Sequence, residues 1–378
     1  MQRRSFLKLG AVGTGLFFVS AAPAVFARAQ TPHFAIPTVD RLILTSTIDG
    51  SYDAVLPSGP IGKITVQRTS GTQPTLVSEH GLGFHLESFV GDDRRAVLLD
   101  FGNTYENLSR NYSALKIDMG SVDGLILSHG HADHYGGFLS LAAATPQWAD
   151  RGLALNAGGE DTFCRRWTVT PDGSRSGGTQ LNDADVVARG LGINLAKDPA
   201  IVADHALVSG QIARTTDFET AYIDGLPVSA TLQAARVEVG PSAYICGDVS
   251  HFQPTLTESA EGDIVPDNFQ GEIATVYNVR DRGLVIISSC GHSGIINTIK
   301  HVQSVTGIDK IHAVVGGLHL AAAPDALAAN TADAIQQIQP DYFVPMHCTG
   351  FYPALMIEQV MPRRVVEPSS GTRIVFGA

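Results

Sequence analysis

Three histidines and an aspartate fall within six residues, at His129, His131, Asp133 and His134. Imidazole and carboxylate are the donors zinc prefers and iron or manganese accepts. In an extended loop at a strand end, His129 and His131 share a face, because alternate residues point the same way. Asp133 and His134 occupy the following turn and face a second point nearby. That spacing suits two metal ions side by side. A polar surface turn is the plainer alternative, but the run Asp123-Gly124-Leu125-Ile126-Leu127-Ser128 reads as a buried strand leading straight into the cluster. Three further histidines follow apolar runs in the same manner. His292 follows the strand-like 284–287, His319 follows 311–315, and His347 follows 342–345. Ligands gather at the carboxyl ends of strands in open α/β sheets. His292 and His347 are therefore expected as ligands. For His319, a ligand role stands beside substrate contact or support of a ligand from behind.

The elements that must carry these residues alternate. Strands are expected at 41–47, 83–90, 96–100, 123–128, 272–279, 283–289, 311–318, 342–346 and 372–376. Helices are expected at 105–116, 138–144, 292–305, 325–337 and 351–360. Residues 170–180 and 250–270 read as loops, with short β-like pieces between them such as 228–239. Strands alternating with helices predict an α/β protein with layered sheets. No linker divides the chain, so residues 30–378 are expected to form a single domain.

The chain has 378 residues with 44% hydrophobic and 17% charged, enough for a sizeable core. Its formal net charge of -11 argues against nucleic acid as a partner. The start, Gln2-Arg3-Arg4-Ser5-Phe6-Leu7-Lys8 followed by a short Gly/Ala-rich apolar run, resembles a twin-arginine export signal. The run is broken by Gly10, Gly13 and Gly15, so no stable membrane span is expected after processing. Removing residues 1–29 leaves 22 basic against 37 acidic residues, a net of -15. The expected location is periplasmic or extracellular, reached already folded through the twin-arginine export machinery. Of the four cysteines, Cys290 and Cys348 lie inside the histidine motifs, and free or metal-proximal thiols are favoured there. A bond between Cys164 and Cys246 stays open.

Taken in order, the motifs resemble one family. His129-Gly130-His131-Ala132-Asp133-His134 matches the signature of the metallo-β-lactamase superfamily. Further motifs resemble the branch named for 7,8-dihydropterin-6-yl-methyl-4-(β-D-ribofuranosyl)aminobenzene 5'-phosphate synthase. Glu79-His80-Gly81-Leu82 is similar to its "EHGL", Leu99-Asp100-Phe101-Gly102 to "fDtG", and 128–137 to "SHgHxDHxGG". Ser209-Gly210-Gln211-Ile212 with Phe218-Glu219 resembles "tGeI…fE", and 290–297 resembles "GCxHxGIxN". Gly316–Leu320 resembles "GGxHL", and His347-Cys348-Thr349-Gly350 resembles "HCTG". The likeness spans nearly all of residues 40–376. It implies an αββα sandwich with a metal site at one edge, and metal roles for His129, His131, Asp133, His134 and His347. Ser289 departs from the branch's Gly, Gly271-Glu272-Ile273 from its Asp-Glu-Gln, and residues 225–265 are longer. That stretch holds Ile245-Cys246-Gly247-Asp248, so a bridging carboxylate could come from Asp248. The register instead favours Cys290 and His292 for that place, leaving Asp248 and His251 in an exposed loop.

The expected function is a hydrolase. Two divalent ions, zinc first with iron or manganese as alternatives, activate a water against an ester, lactone, amide or phosphoester bond of a small molecule. Asp133 would hold a metal and orient the nucleophile, and His319 would stabilise the oxyanion or leaving group. Asp100 is expected to order the metal loop through hydrogen bonds. Glu79 and His80 are left between pocket lining and capping. The alternatives are a pterin/ribofuranosylaminobenzene phosphate synthase-like transferase, and a non-catalytic metal-binding or redox-sensing module built on Cys290 and Cys348.

Overall fold

The computed structural model describes residues 33–69, 75–170, 172–219, 222–223, 226–227, 235–238 and 264–377. The chain divides into Met1–Pro32 and His33–Ala378, and the expected export signal lies outside the described residues. The same holds for Cys246, Asp248 and His251.

Two large sheets form the body. The first runs in the order Gly192–Leu195, Ala154–Ala157, Gly124–Leu127, Asp93–Leu99, Gly83–Val90, Arg41–Ile48, Arg373–Gly377, Ile64–Gln67, Gly59–Ile61. The second runs Ala200–Val202, Ala206–Val208, Thr275–Val279, Gly283–Ser288, Ile311–Gly316, Tyr342–Pro345, with Thr38–Val39 beside Thr275–Val279. Successive strand residues point to opposite faces, so each strand feeds two cores. Val97 and Leu99 face the second sheet, while Leu98 faces the helices outside. Val285 and Ile287 face inward in the same way, with Leu284 and Ile286 turned outward. Strands buried on both faces must be apolar throughout, which explains the unbroken runs in the sequence.

Helices cover both outer faces. Tyr105–Leu115 and Phe138–Ala144 pack on the first sheet through Leu108, Tyr112, Phe138 and Leu141. Ile295–Thr306, Asp325–Ile338 and Phe351–Val360 pack on the second through Ile299, Val302, Ile335 and Ile357. The layers are therefore helix, sheet, sheet, helix, as the family resemblance implies. Among the described residues, no helix is long and apolar enough to cross a membrane.

The middle of the chain differs from its reading as loops. Arg166–Val169 pairs with Arg175–Thr179 and with Ala235–Glu238, which pairs with Ile264–Pro266, giving a small third sheet. Its Arg175–Thr179 strand reads Arg-Ser-Gly-Gly-Thr, a composition that signals a turn rather than a strand. Tertiary pairing overrides that local preference. Elsewhere boundaries moved. The helix expected at 292–305 begins at Ile295, after a turn with Gly291 at φ 72° and Gly294 at φ 90°. The strand expected from 272 begins at Thr275. Cys164 is disulfide-bonded, whereas Cys290 and Cys348 are free thiols.

Candidate metal centre

The strand Gly124–Leu127 ends two residues before His129, and the loop that follows turns into a short helix at Ala132–Tyr135. The loop runs close against its surroundings. A Cβ on Gly130 would lie 2.0 Å from the Thr162 carbonyl oxygen and 2.3 Å from Arg166 Nη1, so only glycine fits there.

The donors form two groups. In the first, the ring nitrogens of His129, His131 and His292 lie within 4.8 Å of one another. His129 Nε2 and His292 Nε2 face each other at 3.2 Å. In the second, Asp133 Oδ2 stands 3.2 Å from His347 Nε2, 3.3 Å from His80 Nε2 and 3.7 Å from His134 Nε2. Cys290 Sγ lies 3.4 Å from His134 Nε2 and 3.3 Å from Cys348 Sγ. The His319 ring lies tilted at 44° to that of His292, with the ring centroids 4.2 Å apart.

Asp100 orders both groups from behind. It is fully buried in the left-handed backbone region, at φ 59°. Its Oδ2 accepts from His134 Nδ1 at 2.8 Å and from Ser128 Oγ at 2.8 Å, and its Oδ1 accepts from the Ser128 N–H. Ser128 Oγ in turn lies 2.9 Å from His129 Nδ1. With the hydroxyl proton committed to Asp100, His129 donates from Nδ1 and keeps a lone pair on Nε2. His134 is fixed in the same tautomer. Carboxylate support behind a ligand imidazole sets this orientation in metal sites.

These tautomers show how well the residues fit a metal pair. Several buried lone pairs converge on common points. His347 Nε2 lies close to Asp133 without the alignment of a hydrogen bond, and His292 Nδ1 has no hydrogen-bond partner among the described residues. Convergent unpaired acceptors are costly when buried, and cations relieve that cost. The charge states agree. Burial and the neighbouring imidazoles hold His129 and His292 well below the usual histidine range. Burial, with Arg166 beside it, pushes His131 down to about 4. Burial would raise Asp133, but His134, His347 and His131 outweigh it and keep the group ionised. His134 is the exception. Burial lowers it, yet the carboxylates of Asp133 and Asp100 push it up to about 9, so a metal there must displace a proton.

Two supporting residues, Arg166 and Asp49, gave no sequence signal, and Glu272 and Glu79 gave no sign of the bonds they make. Arg166 is buried and donates from Nε to Asp267 Oδ2 at 2.7 Å and from Nη1 to the Gly130 carbonyl at 3.1 Å. It thus ties the third sheet to the metal loop. Glu272 accepts from the backbone N–H groups of His292 and Ser293, at 2.8 and 2.6 Å, and fixes the turn that presents His292. Asp49 accepts from the His347 N–H at 3.0 Å. Glu79 spends both carboxylate oxygens on Asn103, Thr104 and Asn107, anchoring the start of the helix Tyr105–Leu115. His80 instead lines the cavity.

That cavity has a volume of about 530 Å³. His131, Asp133, Cys290, His319, His347 and Cys348 form one side. Trp167, Thr168, Thr179 and Arg236 of the third sheet form the other. The Trp167 indole is fixed by its Nε1–H, which donates to Glu238 Oε2 at 2.8 Å.

The αββα sandwich carries paired histidine-rich donor groups at one edge, and the chain is similar to proteins of the metallo-β-lactamase superfamily. The family model for that superfamily matches residues 81–147, which include the histidine cluster. The chain is also similar to the 7,8-dihydropterin-6-methyl-4-(β-D-ribofuranosyl)-aminobenzene-5'-phosphate synthase of Methanocaldococcus jannaschii. The two are 27% identical over 291 residues, covering 75% of this chain and 85% of the relative. An uncharacterized protein of the same archaeon is 22% identical over 298 residues, covering 79% and 94%. The crystal structure of a metal-dependent hydrolase of the β-lactamase superfamily superposes with a TM-score of 0.59 at 19% identity, covering 88% of this chain and 98% of that one. That likeness establishes the fold.

Proposed function

We propose that the protein is a metal-dependent hydrolase that cleaves an ester, lactone, amide or phosphoester bond of a small molecule. The observation that carries this reading is the convergence of His129, His131 and His292, and of Asp133, His134 and His347, with His131, Asp133 and His347 lining one cavity. Divalent ions held by these two groups, with zinc the first choice, would supply Lewis acidity and a water acidic enough to attack near neutral pH. Asp133 would orient the attacking water and take its proton. His319 lines the cavity, and its buried Nδ1 has no hydrogen-bond partner among the described residues, so it can donate to an oxygen that gains charge. Trp167 offers a fixed aromatic wall, and Arg236 stands opposite it in the strand register.

A second reading is a synthase-like transferase, and the relative from Methanocaldococcus jannaschii favours it. The expected export signal at residues 1–29 favours the hydrolase, because a pterin precursor would be a cytoplasmic substrate. We place the mature protein in the periplasm or outside the cell, delivered folded by the twin-arginine machinery, and cell fractionation with and without Arg3 and Arg4 tests that placement.

The deciding experiment measures metal content of the purified protein by elemental analysis, followed by turnover of nitrophenyl esters, phosphodiesters and nitrocefin. His131→Ala and Asp133→Ala should each abolish bound metal and turnover. Full activity in either variant would refute the mechanism. A metal-loaded protein inert on the whole panel would move the synthase reading forward. A chain that takes up no metal would leave neither enzyme.

A further inference from the structure

A second cleft opens on the outer face of the first sheet. It shares no lining residue with the metal cavity and has a volume of about 470 Å³. Strand register builds its base. Thr45 pairs with His85 on one side and with Arg373 on the other, and Arg373 pairs with Gln67. Residues paired across a sheet share a face, so these four side chains form one row over four strands. Their chain neighbours Leu44, Phe84, Leu86 and Ile374 point the other way, into the core between the sheets. The wall of the cleft is the end of the helix Tyr105–Leu115 and the turn after it, through Lys116 and Asp118.

The charges around this row do not balance. Arg68, Arg94, Lys116 and Arg373 meet only Glu87 and Asp118 in the lining, a local positive excess in a chain whose formal net charge is -11. Arg94 is already paired, with its Nε 3.0 Å from Glu87 Oε1. Asp118 spends Oδ1 on the Gly120 N–H of its own turn. Arg68 and Arg373 donate to neutral oxygens, from Nη1 to Thr372 Oγ1 at 2.9 Å and from Nη1 to Gln67 Oε1 at 2.7 Å. Glu367 and Asp53 act on Arg68 without pairing with it. Buried nitrogens here are also unsatisfied. His85 is 5% exposed, and its Nε2 has no hydrogen-bond partner among the described residues, nor has Arg68 Nε. Burial, against the pull of Glu87 and with Arg94 and Arg373 nearby, pushes His85 down to about 4, so the ring is neutral. Buried polar atoms without partners are costly, and a bound acceptor relieves that cost.

We propose that this cleft binds the phosphate group of a small molecule, with Arg68 and Arg373 as its cationic clamp and His85 as a neutral donor. A phosphate monoester carries about -1.5 to -2 charges near neutral pH, which suits the local excess. Its oxygens can accept from two guanidinium groups and an imidazole at once, whereas a lone carboxylate has one charge and two oxygens. The volume leaves room for an organic body beyond the phosphate. The site stands independently of the metal reading.

The test titrates inorganic phosphate into the metal-loaded protein at constant ionic strength and follows the His85 ring by NMR, its signal assigned through His85→Gln. Phosphate taken up at the metal centre moves other histidines, so the His85 signal reports this cleft. It should shift saturably with phosphate and not with matched chloride. Arg68→Gln and Arg373→Gln should each weaken the response about tenfold, the worth of one charge-assisted hydrogen bond. A His85 signal unmoved by phosphate, or moved equally by chloride, overturns the proposal, and so does a response of wild-type strength in both arginine variants. The comparison of phosphate with chloride uses the wild type, so it decides even where an arginine variant fails to fold.

Discussion

Asp100 offers a sharp test of how the metal site is built. The Asp100→Asn change keeps the volume and tolerates the left-handed backbone at φ 59°. One amide oxygen can still accept from the Ser128 N–H, as Oδ1 does now at 2.8 Å. The amide nitrogen then faces His134 Nδ1 and Ser128 Oγ, both of which now donate to Oδ2 at 2.8 Å. Two donors cannot face each other, so the His134 proton must move to Nε2, the atom turned toward Asp133 and Cys290. A ligand lone pair is lost. Changes of this kind behind a metal ligand lower affinity by about 10–100-fold, or roughly 1.4–2.7 kcal/mol. Asp100→Ala should cost more in stability, because it strands buried donors at about 1–3 kcal/mol each. Zinc affinity measured against a competing chelator, with urea unfolding of the same samples, separates the two effects. A folded Asp100→Asn protein that binds zinc as tightly as the wild type would refute the tautomer argument.

Other perturbations test the supports. Gly130→Ala should disrupt the loop, since its Cβ meets backbone oxygen at 2.0 Å; overpacking of this kind costs about 1–3 kcal/mol or more, seen as a lower urea midpoint and weakened metal uptake. Arg166→Met leaves Asp267 buried and unpaired, and a loss of about 3–5 kcal/mol is expected, with an unchanged midpoint counting against the link between third sheet and metal loop. The metal-free protein should weaken in acid. His131 has a folded value of about 4, below its ordinary 6.5, so its contribution is complete above 6.5 and disappears as pH falls through 4. That contribution is at most about 3 kcal/mol, and His131→Asn should flatten the corresponding part of the stability profile between those limits.

The segment 129–134 announced its chemistry because its donors are neighbours in the chain, and local spacing alone puts them on adjacent faces. The buried strands and the helix 351–360 were legible for a similar reason, since apolar runs and periodicity are local. Glu219 was visible as part of a motif, but its task was not. It accepts from the N–H groups of Ile296 and Asn297, 77 and 78 residues on, at the start of the helix Ile295–Thr306. The remaining decisions belong to the tertiary structure. Arg166 finds Asp267 across 101 residues, and Asp49 finds the His347 backbone across 298. Glu272 reads in the sequence as the acid of the segment Gly271-Glu272-Ile273, and only folding shows that it holds the His292 turn. Cys290 likewise gains its place among six other donors only when strand ends from both sheets meet. Sequence specifies residue chemistry and short-range geometry. Distances between residues far apart in the chain depend on how two sheets pack, and no local pattern encodes them.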